Sequence, residues 1–149
     1  MKIVYRLLAT GFYSGYFPIA PGSVGSAVAL FIFWIVPSMR GFALLVVVVA
    51  LFFIGAICAT EVEKSDGRDA SIINIDEIVG MWVSLLFLPP NISWKLIIAG
   101  FFIFRAFDIF KPFPINRSQN IKRGWGVMID DLIAGIYTNL SLRIVLFLI

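Results

Sequence analysis

The sequence contains no histidine and a single cysteine, Cys58. One cysteine cannot form an internal disulfide, and without histidine the chain cannot build a zinc site from cysteine and histidine ligands. A histidine nucleophile is excluded for the same reason. Charged residues are also scarce, at 14% of the 149 residues, against roughly 25% in a typical soluble domain. Because 60% of the residues are hydrophobic, the composition predicts a polytopic membrane protein.

Five apolar runs alternate with turn-forming or charged stretches, and they cover about 23–37, 42–60, 77–88, 92–110 and 127–149. We predict an all-α fold, in one domain of residues 1–149, with about five transmembrane or re-entrant helices. Apolar residues recur at helical spacing beside Lys2 and Arg6, which predicts a short N-terminal interfacial helix within 1–22. Residues 77–88 would rise only about 18 Å, less than the roughly 30 Å hydrocarbon core. That run either spans a locally thinned bilayer or forms a re-entrant hairpin with the helix after it.

The basic residues predict how the chain is oriented. Nine of the twelve lie in or beside residues 1–22, 61–76 and 111–126, and only Arg40, Lys95 and Arg143 fall at the other membrane face. Because basic residues concentrate on the cytoplasmic side of membrane proteins, we expect these three regions to face the cytoplasm.

This orientation brings the start of the first long helix, Ser23 to Ser26, to the cytoplasmic face together with five acidic residues at helix ends, namely Asp76, Glu77, Asp108, Asp130 and Asp131. Carboxylates gathered at low dielectric cannot all stay ionised and unpaired, so a divalent cation is a natural partner. Oxygen ligands without histidine favour a hard ion such as Mg²⁺. The purely structural alternative is that Asp76 caps a helix, Asp130 and Asp131 occupy a first turn, and Asp108 pairs with Arg105.

Candidate phosphate-binding groups lie beside these acids. Arg105, Asp108 and Lys111 recur every three residues and so share one helix face. Arginine and lysine next to a metal suit a phosphate, although Lys111 would serve equally as a snorkelling anchor. The turn Pro21-Gly-Ser-Val-Gly-Ser26 opens a helix whose free N–H groups can approach an anion. A close helix contact through its small residues explains the same pattern.

Other phosphatase motifs are missing. A cysteine phosphatase needs an arginine six residues after its cysteine, whereas Lys64 stands at that position after Cys58. Neither the DxDx[TV] nucleophile motif nor the DGxxAR pattern of membrane alcohol phosphotransferases occurs. With these nucleophile motifs and a histidine nucleophile excluded, phosphate hydrolysis by this chain would use a metal-assisted mechanism.

Four blocks together resemble the phosphatidylglycerophosphatase A family, a group of bacterial inner-membrane lipid phosphatases. The blocks occur in the family's order over about 11–135. They are GFYSG (11–15) with PIAPGSVGS (18–26), DEIVGMW (76–82), GFFIFR (100–105) through Asp108 to KPFPI (111–115), and GWGVMIDD (124–131) with Ala134-Gly135. The resemblance implies an all-helical fold and Mg²⁺-dependent removal of the terminal phosphate from phosphatidylglycerophosphate.

The resemblance also suggests roles for individual residues. We expect Glu77, Asp130 and Asp131 to ligate the metal, with Asp76 ligating it or orienting its water. Asp108 is the candidate general base or a support for the ligands. Arg105 and Lys111 would hold the phosphate, and the substrate-binding turn comprises Ser23, Gly25 and Ser26.

The expected partners are an anionic phospholipid and the bilayer, with no nucleic acid. We expect a multi-pass protein of the bacterial inner membrane with its active site facing the cytoplasm. A phosphatase for another lipid monophosphate, such as phosphatidic acid, is the closest alternative. A small ion-pathway protein is a second, but it would need polar residues through the middle of the helices, whereas here they gather at one end.

Overall fold

A computed structural model describes residues 2–118 and 120–148. These residues form seven α-helices and one 3₁₀ turn, Ser14–Tyr16, and they contain no β-strand. The helices are α1 (Lys2–Ala9), α2 (Pro21–Ile35), α3 (Gly41–Asp66), α4 (Ile75–Ser84), α5 (Trp94–Phe110), α6 (Ile115–Ser118) and α7 (Trp125–Leu148). The prediction of an all-α fold is confirmed.

Two helices, α3 and α7, are long and apolar enough to cross a membrane. The apolar helix α2 is shorter, with 15 residues. The α2–α3 turn and the α4–α5 connection lie together at one end of the bundle, because Arg40 Nη1 donates to the carbonyl oxygen of Pro90 at 2.9 Å. The number of crossings stays a prediction.

Two predicted loops are partly helical. Residues 61–66 extend α3 beyond its apolar part, and the helix ends only at Gly67, whose φ of +93° is accessible to glycine. The polar connection to α4 is therefore shorter than predicted. The basic stretch 111–126 contains α6, which has only four residues. A helix of one turn leaves no apolar periodicity in a sequence, which explains why the sequence predicted a loop.

The short helix α4 lies at the centre of the bundle, and all ten of its residues are buried. It packs chiefly against α7, with α2 and α3 on its other sides. Glycines permit the close α4–α7 contact: a Cβ at Gly80 would lie 2.7 Å from the carbonyl oxygen of Asp131, and one at Gly135 would overlap the Gly80 backbone. This contact fixes the axial position of α7 relative to α4.

The C-terminal end of α4 is capped by side chains of α7. Asn139 Nδ2 donates to the carbonyl oxygens of Val83, Ser84 and Leu86 at 2.9–3.4 Å. Arg143 adds a hydrogen bond of 3.1 Å to the Leu86 carbonyl. The last carbonyls of a helix have no partner within the helix and need donors from elsewhere when they are buried. Asn139 and Arg143 therefore allow a helix of about 15 Å to end inside the bundle.

Replacing Asn139 by leucine should lower the free energy of unfolding by about 1–3 kcal/mol, because the carbonyls at the end of α4 lose their shared donor. The measurement is unfolding of the purified protein in detergent micelles. Ser141→Ala is the matched control on the same helix, since the Ser141 hydroxyl donates only to the Tyr137 carbonyl of its own helix. Equal stability of Asn139→Leu and the wild-type protein would show that this cap contributes nothing.

Candidate active site

Three carboxylates from three helices converge at one end of the bundle. Glu77 on α4, Asp108 on α5 and Asp131 on α7 each offer an oxygen, and these oxygens lie within 4.8 Å of one another. Glu77 and Asp131 are buried, and Asp108 is partly buried. Like charges at this separation repel strongly unless a cation or a proton lies between them. We call these three residues the carboxylate triad.

Two basic side chains border the triad. Arg105 forms ion pairs with Glu77 and with Asp108, the latter at 3.0 Å. Lys111 Nζ donates to Asp130 Oδ2 at 2.6 Å and lies 3.9 Å from Asp108 Oδ1. The local Arg105–Asp108 pair of the structural alternative is thus present, but the same guanidinium also joins α5 to α4. Arg105, Asp108 and Lys111 do share one side of α5, towards the triad.

Lys111 ends α5 and keeps its positive charge. Burial by itself would lower the pKa of its ammonium group, but the hydrogen bond to Asp130 and the charges of Asp130 and Asp108 raise that pKa above its ordinary value. Lys111 is therefore a fixed cation at the edge of the site.

The site is a cavity of about 250 Å³ with a large excess of negative charge. Six carboxylates line it against two basic side chains, Arg105 and Lys111. The carboxylates are those of Asp69, Asp76, Glu77, Asp108, Asp130 and Asp131. Such an imbalance in a partly buried space favours bound cations over a solvated surface patch.

Three buried atoms in this cavity have no hydrogen-bond partner among the described residues: Asp76 Oδ1, Asp131 Oδ2 and Arg105 Nε. Buried polar atoms are normally hydrogen-bonded. The two carboxylate oxygens need a cation or a donor, whereas the guanidinium N–H needs an acceptor. A divalent cation together with a phosphate oxygen would satisfy all three, so the residues present fit both groups.

The first two turns of α2 close one side of the site. Ser26 Oγ donates to Glu77 Oε2 at 3.2 Å and to the Gly22 carbonyl at 3.0 Å. A Cβ at Gly22 would overlap the Glu77 carboxylate and lie 3.0 Å from Arg105 Nη1. Glycine is needed at this position because the ion pair of Glu77 and Arg105 lies directly against the helix backbone. Only glycine offers that space.

The other two residues of the predicted substrate-binding turn face elsewhere. Gly25 packs against the side chain of Asn74, where a Cβ would come within 2.7 Å of the amide nitrogen. Ser23 lines an apolar depression on the outside of α2, together with Val24 and Phe31. Neither lines the carboxylate cavity, and their binding role stays a prediction.

Asn74 was not among the predicted site residues, but its hydrogen bonds hold the start of α4 in place. It is fully buried directly before α4, and its Nδ2 donates to Ser14 Oγ at 2.7 Å. Its backbone N–H donates to the Ala9 carbonyl at 2.8 Å. These bonds fasten the start of α4, and hence Glu77, to the N-terminal segment. The sequence offers one signal for this role: Asn74 is a polar residue two positions before the Asp76-Glu77 pair.

The observed helix boundaries do not agree with the structural alternative for Asp76, Asp130 and Asp131. Asn74, not Asp76, is the residue before α4, and its side chain makes no capping hydrogen bond. The helix α7 begins at Trp125, so Asp130 and Asp131 lie in its second turn. Both aspartates are buried and do not face water at a helix end.

The family comparison agrees with the blocks read from the sequence. The sequence model described as Phosphatidylglycerophosphatase A matches residues 7–146. The chain belongs to this family. All residues that line the carboxylate cavity fall within the matched part.

Curated relatives match over nearly the whole chain. The Phosphatidylglycerophosphatase A of Escherichia coli strain K12 is 41% identical over 91% of this chain and 80% of its own length. The protein of the same name from Haemophilus influenzae is 39% identical over 89% of this chain and 82% of its own. A Putative phosphatidylinositol-3-phosphatase of Bacteroides thetaiotaomicron is 38% identical over 93% and 91%. No solved structure matches the chain.

Proposed function

We propose that this protein is a Mg²⁺-dependent phosphatase that converts phosphatidylglycerophosphate to phosphatidylglycerol and phosphate. The observation that carries the proposal is the carboxylate triad beside an arginine with an unpaired buried N–H, in a member of this family. Two relatives at about 40% identity bear the corresponding name.

Glu77, Asp108 and Asp131 would hold the ion, which leaves Asp76, in the same cavity, to act on the attacking water. Mg²⁺ prefers oxygen ligands and keeps positions for water and for phosphate oxygens beside a few carboxylates, so a carboxylate triad open to a cavity suits it. When bound, the ion supplies Lewis-acid chemistry: it neutralises charge on phosphoryl oxygens and makes water more acidic.

The remaining side chains bind the phosphate and move protons. Arg105 Nε donates to a phosphate oxygen while the same guanidinium stays paired with Glu77 and Asp108. Lys111 adds positive charge at the rim and holds Asp130. Asp76 Oδ1 accepts the proton of the attacking water as the water oxygen bonds to phosphorus. The bond from phosphorus to the glycerol oxygen then breaks, and that oxygen leaves as an alcohol after taking a proton from solvent, while Asp76 returns its own proton to solvent and is ionised again.

We further propose a multi-pass protein of the bacterial inner membrane, with residues 1–149 as one domain and the site facing the cytoplasm. The long apolar helices α3 and α7 support membrane insertion. The bond from Arg40 to Pro90 puts the α4–α5 connection beside the α2–α3 turn, as expected if α4 and the segment after it form a short third crossing. The short helix α1, with exposed Ile3 and Val4, would lie at the interface.

The name of the Bacteroides relative suggests a second substrate, phosphatidylinositol 3-phosphate. Like phosphatidylglycerophosphate, this lipid carries a phosphodiester and, further out, a phosphomonoester. The same carboxylate cavity would cleave the monoester of either lipid, so the two are best compared directly.

Removing Mg²⁺ should abolish phosphate release. Purified protein in detergent would be assayed with phosphatidylglycerophosphate, phosphatidylinositol 3-phosphate and phosphatidic acid, each with Mg²⁺ and with EDTA. We expect release only with Mg²⁺ and fastest from phosphatidylglycerophosphate. Full activity in EDTA would contradict the metal assignment, and faster release from another lipid would change the substrate while leaving the mechanism intact.

A further inference from the structure

A second polar pocket adjoins the carboxylate cavity. Its volume is about 340 Å³, and Asp69, Val127 and Asp130 form part of the wall of both spaces. The new pocket lies among the end of α3, the α3–α4 connection, α6 and the start of α7. We call it the loop pocket. A molecule that fills the cavity and extends past Asp130 would enter it.

The loop pocket is lined by two arginines and by three carboxylates, of which Asp130 is already bonded to Lys111. The two arginines therefore balance the remaining two acids, unlike the acidic cavity beside it, and its side chains suit an anion with a neighbouring hydroxyl group. Two guanidinium groups, of Arg68 and Arg123, and two amides, of Asn116 and Asn120, line it. Arginine binds phosphate oxygens in a fork geometry, and amides donate to or accept from hydroxyl groups. Glu63 also lines it and accepts a hydrogen bond of 2.9 Å from the Asp69 backbone N–H, which orders the loop that carries Arg68.

Arg123 is held in place by its neighbour. The Gly124 N–H donates to Thr60 Oγ1 at 3.1 Å, and a Cβ at Gly124 would lie 2.6 Å from the Ala56 carbonyl oxygen. The loop after α6 is thus pressed directly against α3. A side chain on an anchored loop loses less freedom when it binds, which increases the affinity it contributes.

The proposed substrate has two phosphates, and only one of them is cleaved. A glycerol bridge separates the outer phosphomonoester from the inner phosphodiester that leads to the acyl chains. With the monoester at the carboxylate triad, the bridge and the diester need a polar space directly beside it. The diester is a permanent anion and needs cationic partners of its own beside the carboxylates, which Arg68 and Arg123 of the loop pocket offer.

We propose that the loop pocket binds the phosphodiester and the bridging glycerol of the lipid headgroup, with Arg123 and Arg68 holding the diester oxygens. Asn116 and Asn120 bond the glycerol hydroxyl. This inference rests on the proposed function and explains why the protein would prefer phosphatidylglycerophosphate to phosphatidic acid. Phosphatidic acid has no second phosphate and no bridge, so it gains nothing from this pocket.

The test compares two substrates in one variant. Arg123→Gln should lower kcat/KM for phosphatidylglycerophosphate about 10- to 100-fold, the size expected for a lost charged hydrogen bond. Hydrolysis of p-nitrophenyl phosphate, which has no diester, should stay unchanged. Asn116→Ala should shift the same ratio in the same direction by a smaller factor and serves if Arg123→Gln folds poorly. Lys122→Gln is the matched control, because it removes a charge from the same loop outside the pocket and should leave the ratio unchanged.

A binding measurement distinguishes a failure of the loop-pocket assignment from a failure of the proposed phosphatase function. Dioctanoyl phosphatidylglycerol carries the diester and no monoester, so calorimetry in EDTA reports on the loop pocket without turnover. We expect weaker binding by Arg123→Gln than by the wild-type protein. Equal losses on both substrates, or an unchanged ratio with unchanged binding, would overturn the pocket assignment alone. Failure of the wild-type protein to hydrolyse the lipid would overturn the proposed function, and the calorimetry would still decide whether the diester binds.

Discussion

Replacing Asp131 by asparagine is expected to reduce phosphate release about 10²- to 10³-fold, the order of effect seen when one preorganised electrostatic group is removed from an active site. The side chain keeps its shape, but the triad loses one of its three charges. Asp131 Oδ2 is buried and has no partner among the described residues, which leaves no local ion pair to break. The measurement is kcat/KM for phosphatidylglycerophosphate in saturating Mg²⁺.

Thermal unfolding provides the companion measurement for Asp131→Asn. Mg²⁺ should raise the melting temperature of the wild-type protein, because an ion held by the triad would stabilise the folded state and relieve repulsion among the three carboxylates. The variant should show a smaller shift and should be at least as stable as the wild-type protein in EDTA. Glu61→Gln is the control, since Glu61 pairs with Lys64 on the surface. Wild-type activity in Asp131→Asn would remove Asp131 from the site.

Replacing Arg105 by lysine should lower kcat/KM about 10- to 100-fold although the positive charge remains. The guanidinium pairs with Glu77 and Asp108 and still has a buried Nε–H to offer. An ammonium group cannot reproduce this fork geometry, so one carboxylate or the phosphate oxygen loses its donor. A hydrogen bond to a charged group contributes about 1.5–3 kcal/mol, which corresponds to this range of rates.

Arg6→Lys is the matched control for the Arg105 variant. Arg6 also pairs with a carboxylate, that of Asp66, but the pair is partly exposed and lies on α1 and α3 outside the cavity. Because exposed ion pairs contribute little, the activity of Arg6→Lys should remain near that of the wild-type protein. An equal loss in both variants would indicate general destabilisation, and no loss in Arg105→Lys would show that charge alone suffices at this position.

The sequence by itself determined the class of the protein and the end of the bundle at which chemistry is possible. Abundant apolar residues and scarce charges require burial in lipid or in a helical core, which indicated helices throughout. Antiparallel apolar runs bring alternate ends to the same face, so Asp76, Glu77, Asp108, Asp130 and Asp131 could be grouped without coordinates. The absence of histidine excluded a histidine nucleophile and a zinc site of cysteine and histidine ligands, and the single Cys58 excluded an internal disulfide. The four blocks identified the family, which the comparisons confirmed.

Only the tertiary structure decided which of these carboxylates meet. The predicted metal ligands were Glu77, Asp130 and Asp131, with Asp76 ligating the ion or orienting its water. In the structure, the oxygens within 4.8 Å of one another belong to Glu77, Asp108 and Asp131, and Asp130 is bonded to Lys111. Adjacent residues on a helix point about 100° apart, so the rotation and axial offset of α7 against α4 determine which aspartate faces Glu77.

The contacts that set this offset are long-range and leave little trace in the sequence. The Gly80–Gly135 approach fixes α7 against α4, Asn139 closes the far end of α4, and Asn74 fastens its beginning. Each joins residues far apart in the chain, whereas hydrophobic periodicity reports only which face of one helix is buried. The sequence could therefore identify the residues of the site, but packing between helices determined which of them lie close together.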